Sequence, residues 1–351
     1  MNFLIPVSGR KIMTREISTK IKVYNIFFII FIFFYHCDAK FYLPGIVPLS
    51  YIIGSLGLSF FFMISGYFMF AGMTDENALK RSLKRLKTLL LPYVVWNAIF
   101  LIYFCISNPP MRETPVGKIV YRFIFQPYND VLWYLFALFI FSIPAFLVYK
   151  ILKKKIPAVI CLSIVSILIV VFCVINQEWM VYNIPIGWWL TKITPYIPMY
   201  YFGGFIGLHY RDGLKVPVKT WIWPVFLVLS IGLILLKYKF DDVAIIYWIS
   251  MFTGPVILWF ALPDAFFKPN RFVDVLCEPS FLIYEFQLMA FWIWQGIYKN
   301  LIGSVKWREI MVCASAYVFI YIVFYLLKFI APHVLGILTG FRNGKDFAKK
   351  K

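Results

Sequence analysis

Three kinds of side chain in this sequence are placed to do chemistry: a histidine in one apolar run, a carboxylate in another, and a tight cluster of cations. His36 lies 14 residues beyond Lys22 in a segment dominated by Phe and Ile. That is about 21 Å along a helix, which places the ring in the outer half of a bilayer. A titratable ring is costly in hydrocarbon and tends to be kept there for function. A desolvated imidazole is mostly neutral and available as a general base. The alternative is a histidine bonded to a neighbouring helix or seated at headgroup level. Glu285 stands in an apolar segment where a lone carboxylate is disfavoured, so it calls for protonation or a bundle partner such as Arg81 or His36, in a functional or a purely structural pair. Arg81 and Arg85 share a helix face at i,i+4, as do Lys80, Lys84 and Lys87. Guanidinium forks suit phosphate oxygens. A topology signal that meets anionic lipid is the other reading of this cluster.

Metal chemistry has no comparable signal. The six cysteines are scattered, none forms a C-x-x-C pair, and His209 and His333 lie near none of them in sequence. That spacing argues against a zinc site or a disulfide framework, and cysteine as a small hydrophobe fits better.

The elements that must position these groups follow from composition. The chain of 351 residues is 62% hydrophobic and 15% charged, with 38 Phe, 23 Tyr and 12 Trp. A soluble domain of that length cannot hide so much apolar surface, so lipid must cover part of it. The expected fold is all-α, a polytopic integral membrane bundle of about ten transmembrane helices. The spans fall near 23–41, 50–72, 88–107, 131–149, 157–175, 193–208, 220–236, 243–262, 280–297 and 309–330. The sixth is the weakest, with Pro195 and Pro198 early and Gly203, Gly204 and Gly207 later. A basic tail (1–22) precedes the membrane domain (23–330) and a second basic tail (331–351) follows it.

The net charge of +19 invites a nucleic-acid reading, but the cations sit in short bridges between apolar runs. That distribution follows the positive-inside rule and argues against nucleic acid as a partner. With the N-terminus inside, 24 Lys and Arg fall on inner segments and 10 on outer loops, so both termini are expected in the cytoplasm. The first apolar run lacks a small-residue cleavage site and reads as a retained helix. No N-x-S/T sequon occurs, which favours a bacterial inner membrane. The longest outer loop, 108–130, is polar and proline-bearing, and Trp179, Trp188 and Trp189 in 176–192 read as an interfacial belt or a sugar platform. No internal repeat is visible.

Several segments, taken in order, resemble the membrane-bound acyltransferase family 3 proteins, over roughly residues 20–335. In that family the first helix carries a basic residue, usually Arg, and a His eleven positions later. Here the His position is His36 and the earlier position is Asn25, with Lys22 about one turn away as a substitute cation. Phe61 to Tyr67, with Ser65 and Gly66, resembles the family's Phe-Phe-x-x-Ser-Gly-aromatic stretch, although small residues also simply permit close helix approach. Lys80 to Lys87 followed by Leu91-Pro92-Tyr93 resembles the basic entry to the third helix. Leu132 to Leu138, with Trp133, resembles the entry to a later helix, and Phe202 to Gly207 a glycine-containing sixth-helix region. Pro279 to Gln287 resembles a Ser-x-x-Ile-Tyr-x-x-His segment in which Tyr284 is retained and Gln287 replaces His. A Gln cannot act as a base and only orients or donates hydrogen bonds.

The resemblance implies an O-acyltransferase that moves an acyl group, most often acetyl, from cytoplasmic acyl-CoA to a hydroxyl of a cell-envelope glycan or lipid-linked sugar. His36 is then the catalytic base. Arg81, Lys84 and Arg85 bind the donor, and Asn25, Ser65, Trp133, Tyr284, Glu285 and Gln287 support or orient. Acetyl-CoA or another acyl-CoA is a co-substrate, and no bound cofactor or metal is implied. Partners are membrane lipid, the envelope carbohydrate and acyl-CoA. Two alternatives stay open: a glycan transporter or flippase, which ten helices with intramembrane polar residues also suit, and an acyltransferase relative without activity, suggested by Asn25 and Gln287.

Overall fold

A computed structural model describes residues 14–37, 46–107, 114–175, 192–210, 223–240, 244–303 and 307–341. Within them the chain is helical, with no strand and fourteen α-helices. In chain order these are α1 (Arg15–His36), α2 (Ile46–Phe70), α3 (Ala78–Ser107), α4 (Val116–Phe125), α5 (Trp133–Ser142), α6 (Ala145–Leu152) and α7 (Lys155–Ile175). They continue with α8 (Ile197–His209), α9 (Trp223–Lys239), α10 (Ala244–Ala261), α11 (Arg271–Cys277), α12 (Ser280–Ile302), α13 (Arg308–Ile330) and α14 (Pro332–Leu338). Five described helices (α1, α2, α3, α7 and α13) are long and apolar enough to cross a membrane, and the bent pair α4–α5 brings the number to six.

The helices form two compact units, residues 1–81 with 144–277, and residues 82–143 with 278–351. In the first, α1 and α2 run antiparallel, with Ile32 beside Gly54, Phe28 beside Gly57 and Tyr24 beside Phe60. The rings of Tyr24, Phe28, Phe60, Trp259 and Phe267 make its aromatic core. Tyr24–Phe60 and Phe28–Phe60 centroids lie 5.6 and 5.2 Å apart. Each such pair contributes about 0.5–1.5 kcal/mol beyond area burial. That matters in lipid, where the hydrophobic drive between helices is weak. The buried Tyr24 hydroxyl is satisfied by donating to the Leu258 carbonyl.

In the second unit α3 carries Pro92, which has no N–H for the carbonyl of Thr88 one turn back. Gly340 comes so close to that carbonyl that a Cβ on it would lie 2.1 Å from the oxygen. The approach is set up by a Schellman ending to α14: Phe341 N–H donates to Gly336 O (2.6 Å), Gly340 N–H to Ile337 O (3.3 Å), and Gly340 has φ +63°. Trp96 Nε1 donates to Leu338 O at 3.1 Å and fixes the same turn.

Several expectations change here. Helix α1 ends at His36 and does not run to 41, because Cys37 turns extended (φ −94°, ψ 137°). It begins at Arg15 with Thr14 as N-cap, so residues 15–22 are its first two turns. The basic run 80–87 lies inside α3. The expected span 131–149 is broken into α5 and α6 at Pro144, which removes an N–H from the ladder. The expected loop 108–130 contains α4, and the expected tail 331–351 begins with α14. Trp179, Trp188, Trp189 and the two chain ends lie outside the described residues.

Candidate functional site

Of the residues singled out by sequence, Asn25, His36, Ser65 and Arg81 belong to the first unit, and Lys84, Arg85, Trp133, Tyr284, Glu285 and Gln287 to the second.

His36 is the last residue of α1, half-buried, with its ring 5.2 Å edge-on from that of Tyr35. As the last residue it stands beside the unpaired carbonyls of the helix's final turn.

At the other end of the α1–α2 hairpin, Arg81 caps α2. Its Nη2 donates to the carbonyls of Phe68 (3.1 Å), Met69 (3.2 Å) and Ala71 (2.9 Å). These are carbonyls left over where a helix stops, and a guanidinium there serves both hydrogen bonding and the dipole. His36 and Arg81 therefore stand at opposite ends of one antiparallel hairpin.

Asn25 and Lys22, one turn apart on α1, both face α11. Asn25 Nδ2 donates to Cys277 Sγ at 3.2 Å, and Lys22 Nζ pairs with Asp274 at 2.6 Å. The position where the family carries a cation thus joins two helices, and Lys22 is engaged by a carboxylate.

Ser65 is half-buried, and its neighbour Gly66 sets a helix crossing. A Cβ on Gly66 would sit 1.7 Å from Tyr200 O, and one on Gly203 would sit 1.8 Å from Met63 O. The Ser-Gly stretch of α2 and the Gly-Gly stretch of α8, two separate features in the sequence, are the two sides of one contact.

In the second unit the structure brings Trp133 and the Tyr284–Gln287 segment together through a residue the sequence reading passed over, Asn129. This fully buried side chain accepts from Val131 N–H (3.2 Å) to start the helical turn before Trp133, and donates to Glu285 O at 2.8 Å. Tyr134 and Tyr284 pack edge to face with centroids 5.5 Å apart. Glu285 and Gln287 are 0% and 1% exposed, and Gln287 Nε2 donates to Tyr284 O at 2.9 Å. Glu278, just before this segment, pairs with Lys328 of α13. Asn97 is a second overlooked amide, donating to Phe123 O (2.6 Å) and accepting from Tyr128 N–H (2.8 Å). Tyr93 of the Leu-Pro-Tyr stretch donates to Ile124 O at 2.9 Å, so α3 grips the end of α4. An asparagine just before a helix is an N-cap signal, which marks Asn129 in the sequence. Asn97 shows there only as a polar residue in an apolar run.

The basic cluster is divided by its surroundings. Lys80, Lys84 and Lys87 are exposed, whereas Arg85 is half-buried with its Nε buried and lacking a hydrogen-bond partner among the described residues. A further cation, Lys20, is 2% exposed, pairs with Asp264 (2.7 Å), donates to Leu262 O (2.7 Å) and lies 4.5 Å from the centre of the Trp259 ring. Its hydrogen-bond partners Leu262 and Asp264 are 242 and 244 residues away, beyond the reach of any local pattern. Among the described residues no group of three His, Cys, Asp or Glu side chains is placed to hold a metal ion.

Compared with known families, residues 25–331 match the acyltransferase domain of type 3. No curated protein and no solved structure matches the chain. The match spans nearly all the helices described above, from the middle of α1 to the end of α13, and the chain belongs to acyltransferase family 3, a family of membrane acyltransferases.

Proposed function

We propose that this protein is an O-acyltransferase of the bacterial inner membrane with both termini cytoplasmic. It transfers an acyl group, acetyl in the simplest case, from cytoplasmic acyl-CoA to a hydroxyl of a cell-envelope glycan or lipid-linked sugar. The observation that carries the reading is the placing of His36 at one end of the α1–α2 hairpin with the cationic turn of Arg81 at the other. A base at one membrane face and cations at the other suit a donor and an acceptor that approach from opposite sides.

In the reaction the acceptor oxygen attacks the thioester carbonyl as His36 takes the hydroxyl proton. The carbon–sulfur bond breaks, and the coenzyme A thiolate leaves and is protonated. Arg85 and Lys84 bind donor phosphates, and the buried, unbonded Nε of Arg85 supports an anionic ligand there. Arg81 contributes chiefly by holding the end of α2. Asn129, Trp133, Tyr284, Glu285 and Gln287 keep the second unit's buried polar segment in place.

The test is the purified protein in lipid with radiolabelled acetyl-CoA and a panel of envelope sugars. Label should move to a sugar hydroxyl. Transport of the sugar with no label transfer would instead favour a transporter.

A further inference from the structure

Helix α7 buries little of itself: Ile156, Ile160 and Ile164 are 75%, 55% and 52% exposed. These three, with Cys161 and Val165 on the adjacent row and Ile151 at the end of α6, line an open apolar groove of about 520 Å³. Its volume is within the ~300–1,000 Å³ of small-molecule sites. From Ile156 to Ile164 it runs ~12 Å parallel to the helix axis, the shape of a linear chain and not of a compact ring. Its wall is almost wholly hydrocarbon, and α7 is itself long and apolar enough to cross a membrane.

Lysines flank Ile151 and Ile156, at one end of the groove, in the chain. Lys150, Lys153, Lys154 and Lys155 fall within six residues at the α6–α7 junction, all exposed. Lys153 is engaged by Asp75 at 2.7 Å, a hydrogen bond that holds its ammonium above the ordinary lysine range. Lys155 lies 5.7 Å from the centre of the Tyr210 ring, within cation–π range, and Lys150 and Lys154 are exposed beside it in the chain. An apolar trough that ends in ammonium groups complements one chemistry: a hydrocarbon tail joined to an anionic head.

We propose that the α6–α7 groove is a binding site for an anionic phospholipid, with an acyl chain along Ile156, Ile160 and Ile164 and its phosphate at Lys154, Lys155 and Lys150. Neutral lipid fills the trough less well because it leaves the lysine edge uncompensated. The site is separate from the transfer chemistry and does not depend on it.

The experiment is native mass spectrometry of the full-length protein in detergent, titrated with phosphatidylglycerol or phosphatidylcholine of the same chains. Wild type should retain one phosphatidylglycerol in preference to phosphatidylcholine. Lys154→Gln/Lys155→Gln, at exposed positions that leave folding intact, should reduce that retention by about five-fold per lysine. Cys161→Trp, which fills the trough, should remove it for both lipids. Equal retention of the two lipids by wild type would overturn the proposal, as would unchanged retention in the lysine variant. A dimer dispersed by Cys161→Trp would overturn it too, by showing that a second copy of the chain occupies the groove.

Discussion

Gly66 of α2 and Gly203 of α8 each stand where a single added carbon would collide with the other helix's backbone, at 1.7 Å from Tyr200 O and 1.8 Å from Met63 O. Both obstacles are main-chain oxygens, so no side chain can swing aside. Gly66→Ala should force α2 and α8 apart and lower thermal stability by at least the ~1–3 kcal/mol of an overpacked core. Thermal unfolding in detergent, followed by size-exclusion chromatography, measures it. A variant as stable as wild type would show that the crossing is looser than described.

Arg81 and its neighbours should separate in their effects. Arg81→Gln removes a charged donor from three carbonyls and should cost about 1–3 kcal/mol of stability. Lys84→Gln/Arg85→Gln should leave stability nearly unchanged but weaken acyl-CoA binding. Wild-type binding should also fall with added salt much more steeply than the variant's, because ionic contacts are screened. Donor affinity unchanged in the double variant would reduce the cluster to a topology signal.

Lys20 and Asp264 tie the start of α1 to the segment after α10. Asp264→Asn should destabilise the protein by about 1–3 kcal/mol by leaving a buried ammonium with a weaker acceptor. Lys20→Met in the same background should recover part of the loss, since the charge left unpaired is then gone. Urea or thermal melts of Asp264→Asn, Lys20→Met and the double variant test this, and additive losses would argue that the two residues are not coupled.

Asn129 uses both ends of its amide, as acceptor for Val131 N–H and donor to Glu285 O. Asn129→Asp keeps the cap but loses the donor and introduces a negative charge beside a carbonyl. It should be more destabilising than Asn129→Ser, by thermal melt. The reverse order would mean that the cap outweighs the bond to Glu285.

Much of this arrangement was legible in the sequence, and the reasons for the rest are physical. Apolar runs located the long helices, since hydrophobicity is what lipid selects. They did not reveal where helices stop. The end of α1 at His36 depends on one extended residue, Cys37, which leaves no trace in hydropathy. Pro144 lies within the expected span 131–149, and proline is tolerated in many membrane helices, so its presence alone does not mark a break. The Ser-Gly and Gly-Gly stretches were visible separately, while their mutual contact is a tertiary fact. The cation cluster was evident from composition, but which member caps a helix depends on where α2 ends. Lys20 read as one of several tail lysines because its carboxylate, carbonyl and aromatic partners come from the far side of the sequence.

The central claim rests on His36 as the base, and the rate of acyl transfer by His36→Gln tests it most directly. Gln keeps similar bulk and hydrogen-bonding capacity but cannot take up the proton. Label transfer from acetyl-CoA should fall by ~10²–10⁴-fold, with melting temperature and donor affinity unchanged. Transfer within a few-fold of wild type would contradict the assignment of His36 as the base.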